Sequence, residues 1–451
     1  MKLIVGLTLF SLVSLAWQTT NWHWRESVGE LLSNPYSKSR IPQFILDARH
    51  PWIIENQSRL ESLPDAGAYL CSVSGQSTTD VSGEQSSAVG NGLDLPPDLF
   101  DYVEIDNIRG QVYRPGWSNA LSRAQEIQRC PAALSQVKTF LTRIDVYDTQ
   151  RVNWGKRILE PAQPPSELPS LFADILGNMT SLETLKWDVT PRHAHYFEES
   201  FLEREFVLPS VTRLEPRAMS HFLVQMCPNI TSLVRDWSMS LSDDLDGDDP
   251  DFLLIRVTMF APKLKRFAMM AEWSWTDSLV QELVSGYMPG IESLSIWGDI
   301  GPRRTLYGEH ESDGSSLKKA LQLISSFQNL TELELSHASG LGLGWKEGPA
   351  CGNAYFGRRG REYQRQVYRE ELEAMERAGA LVVEVLPRLT SFSVGSSKAN
   401  ITRSDNGTLR AIFPWTGWMD EWIMDLMPET ADEYDEWLMD DMPDLTDEYD
   451  E

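Results

Sequence analysis

Basic residues, cysteines and long apolar runs are all scarce in this 451-residue chain, and each scarcity argues against a class of protein. Forty Lys and Arg face 66 Asp and Glu, for a net charge of −26. Phosphate contacts need a basic face, so this balance argues against nucleic acid as a main partner. Four cysteines, Cys71, Cys130, Cys227 and Cys351, are too few for a disulfide framework to carry a fold of this size. They allow three pairings, and none has zinc-finger spacing. Cys130 and Cys227 each precede a proline at the end of a predicted helix and read as buried thiols. Beyond the first residues no stretch approaches the roughly 20 apolar residues of a membrane helix, so no membrane span is expected. Also missing are a nucleophile elbow, a phosphate-cradling glycine loop and any triad spacing, so no catalytic, cofactor or metal residue is assigned.

What is there begins with "MKLIVGLTLFSLVSLAWQ", where Lys2 precedes an apolar run and Ser14 and Ala16 supply small residues for cleavage. Residues 1–16 therefore read as a secretory signal; the alternative is an apolar N-terminal helix of a cytosolic protein. An N-terminal segment with a tryptophan cluster, "WQTTNWHW", fills 17–71. In the link at 72–92, twelve of 21 residues are Ser, Thr or Gly, too polar to hold a shape. A compact body is expected from 93 to 415 and an acidic tail from 416 to 451.

Within the body one motif recurs: proline, any residue, apolar, two variable, Leu or Phe, one variable, apolar. It reads "PKLKRFAM" at Pro262, "PGIESLSI" at Pro289 and "PRLTSFSV" at Pro387. Weaker copies start at Pro209, Pro228, Gln328, Gly177 and Ser135. Runs with three-and-four apolar spacing precede the late copies, so the unit is a helix, a helix-stopping turn and a short strand. Its inward residues are Phe140, Leu182, Leu214, Leu233, Phe267, Leu294, Leu333 and Phe392. One strand direction with helices between gives a parallel sheet, and a repeated unit gives a solenoid.

The P-x-L-x-x-L-x-L signature resembles the leucine-rich repeat, and "CPNITSL", with Cys-Pro closing a helix, is similar to divergent repeats of fungal F-box-like proteins. The resemblance spans about Ala120 to Val394. It implies an α/β leucine-rich-repeat-like solenoid with parallel strands on the concave face and helices outside; the repeats are irregular, and the acidic tail, which repels itself, reads as disordered. Two departures stand out. Copies lie from 19 residues apart (Pro209 to Pro228) to 59 (Gln328 to Pro387), beyond the roughly 20–29 of regular repeats. An F-box is nearly absent, with "LPPDLFDYVEI" at Leu95 matching only its opening.

The tail holds a tandem repeat, "DEWIMDLMPETADEY" from Asp420 and "DEWLMDDMPDLTDEY" from Asp435, and from Asp420 onward it has 15 acidic residues and no basic one. Its counter-charge is the stripe Arg358, Arg359, Arg361, Arg365 and Arg369, whose last three members share one face if helical. An intramolecular contact between tail and stripe is expected. Six sequons, Asn56, Asn178, Asn229, Asn329, Asn400 and Asn406, are candidate glycosylation sites; Asn178, Asn229 and Asn329 share one repeat position, and Asn56, Asn400 and Asn406 read as loops. "RHAHYFEES", with His193, His195, Glu198 and Glu199, lacks a third metal ligand and reads as a solvated loop. "DDLDGDD", Asp243 to Asp249, lacks the twelfth-place Glu of a calcium loop.

These readings make the chain a secreted, non-catalytic protein that binds a protein or glycan through its strand face. Lys265, Arg266, Thr331, Glu332 and Glu334 would project from that face. The alternatives are a cytoplasmic or nuclear F-box-like adaptor and a secreted hydrolase whose carboxylates are not located.

Overall fold

A computed structural model of the chain describes residues 41–72, 95–106, 117–144, 163–217, 219–235, 250–271, 274–301, 314–343, 357–404 and 407–427. The signal at 1–16, nearly all of the 72–92 link, Cys351, Asn406, the Asp243 to Asp249 loop and the tail beyond Met427 lie outside them. The chain is α/β, with eleven mostly parallel strands in chain order, helices between them and no barrel closure. It divides into two compact units, Met1–Ile230 with Ser238–Asp246, and Thr231–Trp237 with Gly247–Glu451.

The first unit holds helices α1 (Gln43–Asp47), α2 (Pro51–Glu61), α3 (Ala66–Ser72), α4 (Trp117–Gln128), α5 (Pro131–Gln136), α6 (Glu167–Asn178), α7 (Ala194–Glu203) and α8 (Leu223–Met226). Its strands β1 (Tyr102–Asp106), β2 (Thr139–Ile144), β3 (Thr184–Val189) and β4 (Arg213–Pro216) pair in that order, all parallel. The second unit has helices α9 (Pro250–Val257), α10 (Asp277–Leu283), α11 (Ser315–Ile324), α12 (Gly357–Val385) and α13 (Met419–Leu426). Strands β5 (Ser232–Arg235), β6 (Arg266–Met270), β7 (Ser293–Trp297), β8 (Glu332–Leu335) and β9 (Ser391–Val394) run parallel. An antiparallel pair, β10 (Ser397–Arg403) and β11 (Leu409–Ile412), closes the series.

A strand's side chains alternate between faces, so register decides what is buried. In the first unit Val103, Phe140, Leu185 and Leu214 stand side by side; in the second, Leu233, Phe267, Leu294, Leu333 and Phe392 do. All nine are buried. Helices cover this face: Phe172 of α6 lies 6.4 Å from Phe140 and 5.4 Å from Trp187, ring centre to ring centre. The expected frame at Gly177 needs correction. Leu182 is buried, but it precedes β3, and the strand place belongs to Leu185, three residues on. Likewise, "LPPDLFDYVEI" at Leu95 runs directly into β1, the first strand of the series.

One backbone contact fixes this register. In the turn before each strand a single carbonyl accepts two amides from the next turn. Asp101 O takes Lys138 N and Thr139 N, Lys138 O takes Glu183 N and Thr184 N, and Glu183 O takes Thr212 N and Arg213 N, all within 2.8–3.1 Å. In the second unit the receiving carbonyls are those of Thr231, Lys265, Glu292 and Thr331. Thr331 also sends its hydroxyl to Glu292 O at 3.2 Å, and Thr390 does the same to Thr331 O.

The N-terminal helices join the first unit rather than standing apart. Glu126 of α4 accepts the amides of Gln43 (2.8 Å) and Phe44 (3.3 Å), capping α1 from a distance, and Arg123 pairs with Asp47 at 2.8 Å. A disulfide joins Cys71, at the end of α3, to Cys130, at the start of α5. Cys130 is thus not the free buried thiol expected, because α3 packs on α5 and brings the two cysteines together. Closing a loop over a separation of 59 residues restricts the unfolded chain and contributes about 2–4 kcal/mol. The tail also departs from expectation, since its first part forms α13 against α12 instead of being disordered.

Leu333 and Glu332 are sequence neighbours on opposite faces, the first 2% exposed and the second open to solvent. Leu333→Ala should lower unfolding free energy in urea by about 2–5 kcal/mol. Glu332→Ala should change it by no more than about 0.5 kcal/mol.

Candidate functional site

The face turned away from the helices carries the other half of each strand. In the first unit this face is an ion ladder across strands. Asp106 of β1 and Asp188 of β3 flank Arg143 of β2 at 3.5 and 3.9 Å, and Arg217, just beyond β4, meets Asp188 at 2.8 Å. One residue pair earlier, Glu215 is held by Lys186 (3.0 Å) and Arg213 (2.6 Å), while Tyr102 donates its hydroxyl to Glu104 at 2.8 Å. Opposite charges at one register position on adjacent strands attract. No single strand's sequence reveals this ladder; it is visible only once the register is known.

In the second unit the same face is lined by smaller side chains. Ser232, Arg266, Ser293, Glu332 and Ser391 form one row, and Val234, Ala268, Ser295, Glu334 and Ser393 the next. Ser295 donates to Glu334 at 2.8 Å, and Met270 and Trp297 extend the face. Of the expected projecting residues, Lys265, Arg266, Thr331 and Glu332 are exposed and Glu334 is half-buried. Their backbone turns tie them to the carbonyl ladder, so the array is held rigidly.

The arginine stripe lies on α12, which runs unbroken through both the basic stretch and the following apolar-spaced one. Arg358 and Arg359 lie in this helix. Arg369 pairs with Asp420 of α13 at 2.6 Å. Arg365 donates from Nε (3.0 Å) and Nη2 (2.8 Å) to the Met427 carbonyl, which ends α13. A cation at the last carbonyl and carboxylates in the first turn both suit the helix dipole, so α13 is pinned at its two ends. The expected contact between stripe and tail therefore exists for the tail's first helix.

Further along α12, Gly379 faces β11. A Cβ there would come within 2.8 Å of Ala411 Cβ and 3.2 Å of the Phe413 ring. Beside this close approach a cleft of 670 Å³ opens, with Ala380, Val383 and Leu409 in its wall and Glu376, Glu384, Arg403 and Arg410 around it.

The sequons divide differently from expectation. Asn56 sits inside α2, bonded to Trp52 O, and Asn400 inside β10, so neither is in a loop. Asn178 ends α6 and does not share the position of Asn229 and Asn329, a consequence of the shifted β3 frame. The last two are true equivalents: each side-chain amide donates to a proline carbonyl of the preceding turn, Asn229 to Pro209 (2.8 Å) and Asn329 to Pro289 (3.4 Å). The "RHAHYFEES" stretch is also not a solvated loop. It forms a 3-10 turn and α7, with His193 buried 5.0 Å from the Trp117 ring, while His195 stays exposed and desolvation raises the Glu198 pKa. Among the described residues no group of three His, Cys, Asp or Glu side chains is placed to hold a metal ion. Nor is any helix there long and apolar enough to cross a membrane.

No protein-family model matches the chain, and neither does any curated protein.

Two buried groups give direct tests. Arg235 and Asp251 pair at 2.6 Å on the helix side of the second unit, with side chains 9% and 2% exposed. Removing one partner strands the other, so Asp251→Ala should cost about 3–5 kcal/mol, whereas Glu292→Ala, which breaks an exposed pair with Lys265, should cost no more than about 1 kcal/mol. Burial pushes the Cys227 thiol from 9.0 up to about 12. The native thiol therefore stays protonated and should resist iodoacetamide at pH 8 until the chain unfolds. Because its folded pKa is the higher one, its contribution to stability is complete below pH 9.0 and is lost as pH rises toward about 12.

Proposed function

We propose that the chain is a secreted, non-catalytic, leucine-rich-repeat-like solenoid that binds a protein or glycan through the concave face of its strands. The observation that carries this reading is the in-register array of polar side chains on that face: Ser232, Arg266, Ser293, Glu332 and Ser391, set by a shared backbone ladder. A rigid, repeated display of side chains over a buried apolar column suits the recognition of an extended surface. Preorganisation reduces the entropy cost of binding.

The Cys71–Cys130 disulfide supports secretion over a cytoplasmic or nuclear adaptor, because such bonds persist in oxidising compartments. It agrees with the signal-like start, and exposed sequons such as Asn329 and Asn400 would then be open to glycosylation. The charged face of the first unit argues for binding over hydrolysis. Its carboxylates Asp106, Asp188 and Glu215 are each paired with arginine or lysine across the strands, as in a structural charge ladder.

Expression with the native N-terminus should place the protein in the culture medium, with a mass that falls on treatment with an N-glycosidase. Retention in the cell without glycan would refute secretion. For the face itself, the wild-type chain and an Arg266→Glu, Glu332→Arg variant should be compared as baits, with affinities then measured for captured proteins or glycans. The reversal should weaken the specific ligand at least tenfold, about 1.4 kcal/mol, while leaving the unfolding midpoint unchanged. A ligand that binds both baits equally does not use this face.

A further inference from the structure

We propose that the groove on α12 that receives α13 is a peptide site with two ligands in the same chain: the first tail repeat, which occupies it here, and the second repeat, Asp435 to Tyr449, which can replace it. The structure supplies the terms of recognition. Asp420 reaches Arg369, the Met427 carbonyl accepts from Arg365, and Ile423, between these two ends, is 1% exposed. Trp422 sits 6.2 Å from the Trp415 ring and 5.3 Å from the Trp418 ring. By contrast, Leu426 is 54% exposed and Met424 40%.

Set against these contacts, the second repeat is a matching ligand. Ten of its fifteen residues are identical, and Asp435, Trp437 and Met442 stand where Asp420, Trp422 and Met427 stand in the first. Within the part of α13 that belongs to the repeat, Asp420 to Leu426, only two positions differ. The buried Ile423 becomes Leu438, a volume-conserving exchange that cores accept. The exposed Leu426 becomes Asp441, a change at a position already open to water. Substitution therefore falls where the site tolerates it and is absent where the site makes polar contacts.

Reach also permits exchange. Docking the second repeat means looping out fifteen residues, from Asp420 to Asp435, and loop closure grows only slowly with length. Both ligands are tethered, so each meets the site at a high effective concentration, and the shorter tether gives the first copy a modest advantage. The attraction is partly ionic and weakens with salt, which keeps exchange reversible. One acidic tryptophan motif is then always in surplus.

The test uses the full-length chain and hydrogen exchange over residues 361–376, with wild type set against three variants. One disables the first copy (Trp422→Ala, Ile423→Asp), one the second (Trp437→Ala, Leu438→Asp), and one both. Each single variant should keep protection within about threefold of wild type, and the combined variant should lose at least tenfold. If disabling the first copy loses as much as disabling both, the second copy is no ligand and the proposal fails. It fails equally if the combined variant keeps full protection. A graft that gives the first copy the second's residues (Ile423→Leu, Leu426→Asp) guards against damage from the aspartate; it should stay protected, and loss of protection overturns the fit argued above. Light scattering should report a monomer throughout, and a dimer formed by the first-copy variant would mean that the second copy docks between chains instead of within one.

Discussion

The architecture depends on one small contact, a turn carbonyl shared by two amides of the following turn. A carbonyl oxygen has two lone pairs, and here both are used for the same purpose. Asp101, Lys138 and Glu183 carry the contact in the first unit, and Thr231, Lys265, Glu292 and Thr331 in the second. Because the two bonded amides belong to consecutive residues, the next strand cannot slide by one without breaking both. Such a slip would carry Phe267 or Leu294 out to solvent and bring Arg266 or Ser293 inward. The ladder is thus what lets insertions of very different length separate the strands without disturbing the core.

The same lock shapes the opposite face. Side chains that alternate with the apolar column are brought into rows whether or not their identities suit each other, so composition row by row decides the character of the surface. In the first unit the row through Asp106, Arg143 and Asp188 alternates in sign and satisfies itself. In the second, Ser293 stands between Arg266 and Glu332, and Ser232 and Ser391 flank them on the outer strands. A self-paired surface gains little by meeting a partner, because binding must first desolvate the pairs. Spaced charges over serines are cheaper to cover, which is why the proposed binding face is put in the second unit.

Much of this was legible in the sequence, and the failures have physical causes. The P-x-L-x-x-L spacing located β4 to β9, since it encodes the turn, the first buried residue and the strand together. It misplaced β3 because Leu182 and Leu185 are both apolar and both buried, three residues apart, so the pattern fits in two frames. It missed β1, where "DLFDYVEI" keeps the apolar spacing but has Asp98 in the proline place and Val103 in the Leu or Phe place. The β10–β11 hairpin has an Asn-Gly turn signal between "NITR" and "TLRAI", and the same asparagine also fits the Asn-x-Thr sequon, so one short stretch carries two patterns. Cys71 to Cys130, Trp117 to His193 and the charge ladder all join residues distant in sequence. No local pattern encodes them.

The sequons show how a motif can be made by packing. In Asn229-Ile-Thr231 and Asn329-Leu-Thr331 the asparagine amide ties the turn to a proline carbonyl one turn earlier, and the threonine carbonyl receives the next turn's two amides. The residue between them, Ile230 or Leu330, is buried. Each of the three positions is therefore constrained separately, by a donor that must be short, an apolar side chain that must point inward, and a hydroxyl or β-branched residue suited to extended backbone. Replacing Asn329 by Gln would abolish the sequon but would also misplace the amide, so a loss of stability would have two sources. Replacing Thr331 by Val keeps the backbone ladder and the branched shape while abolishing the sequon, at the expense of the 3.2 Å hydroxyl bond to Glu292. At these turns the architecture is sufficient to explain the motif, and glycosylation, where it occurs, uses a pattern that folding already requires.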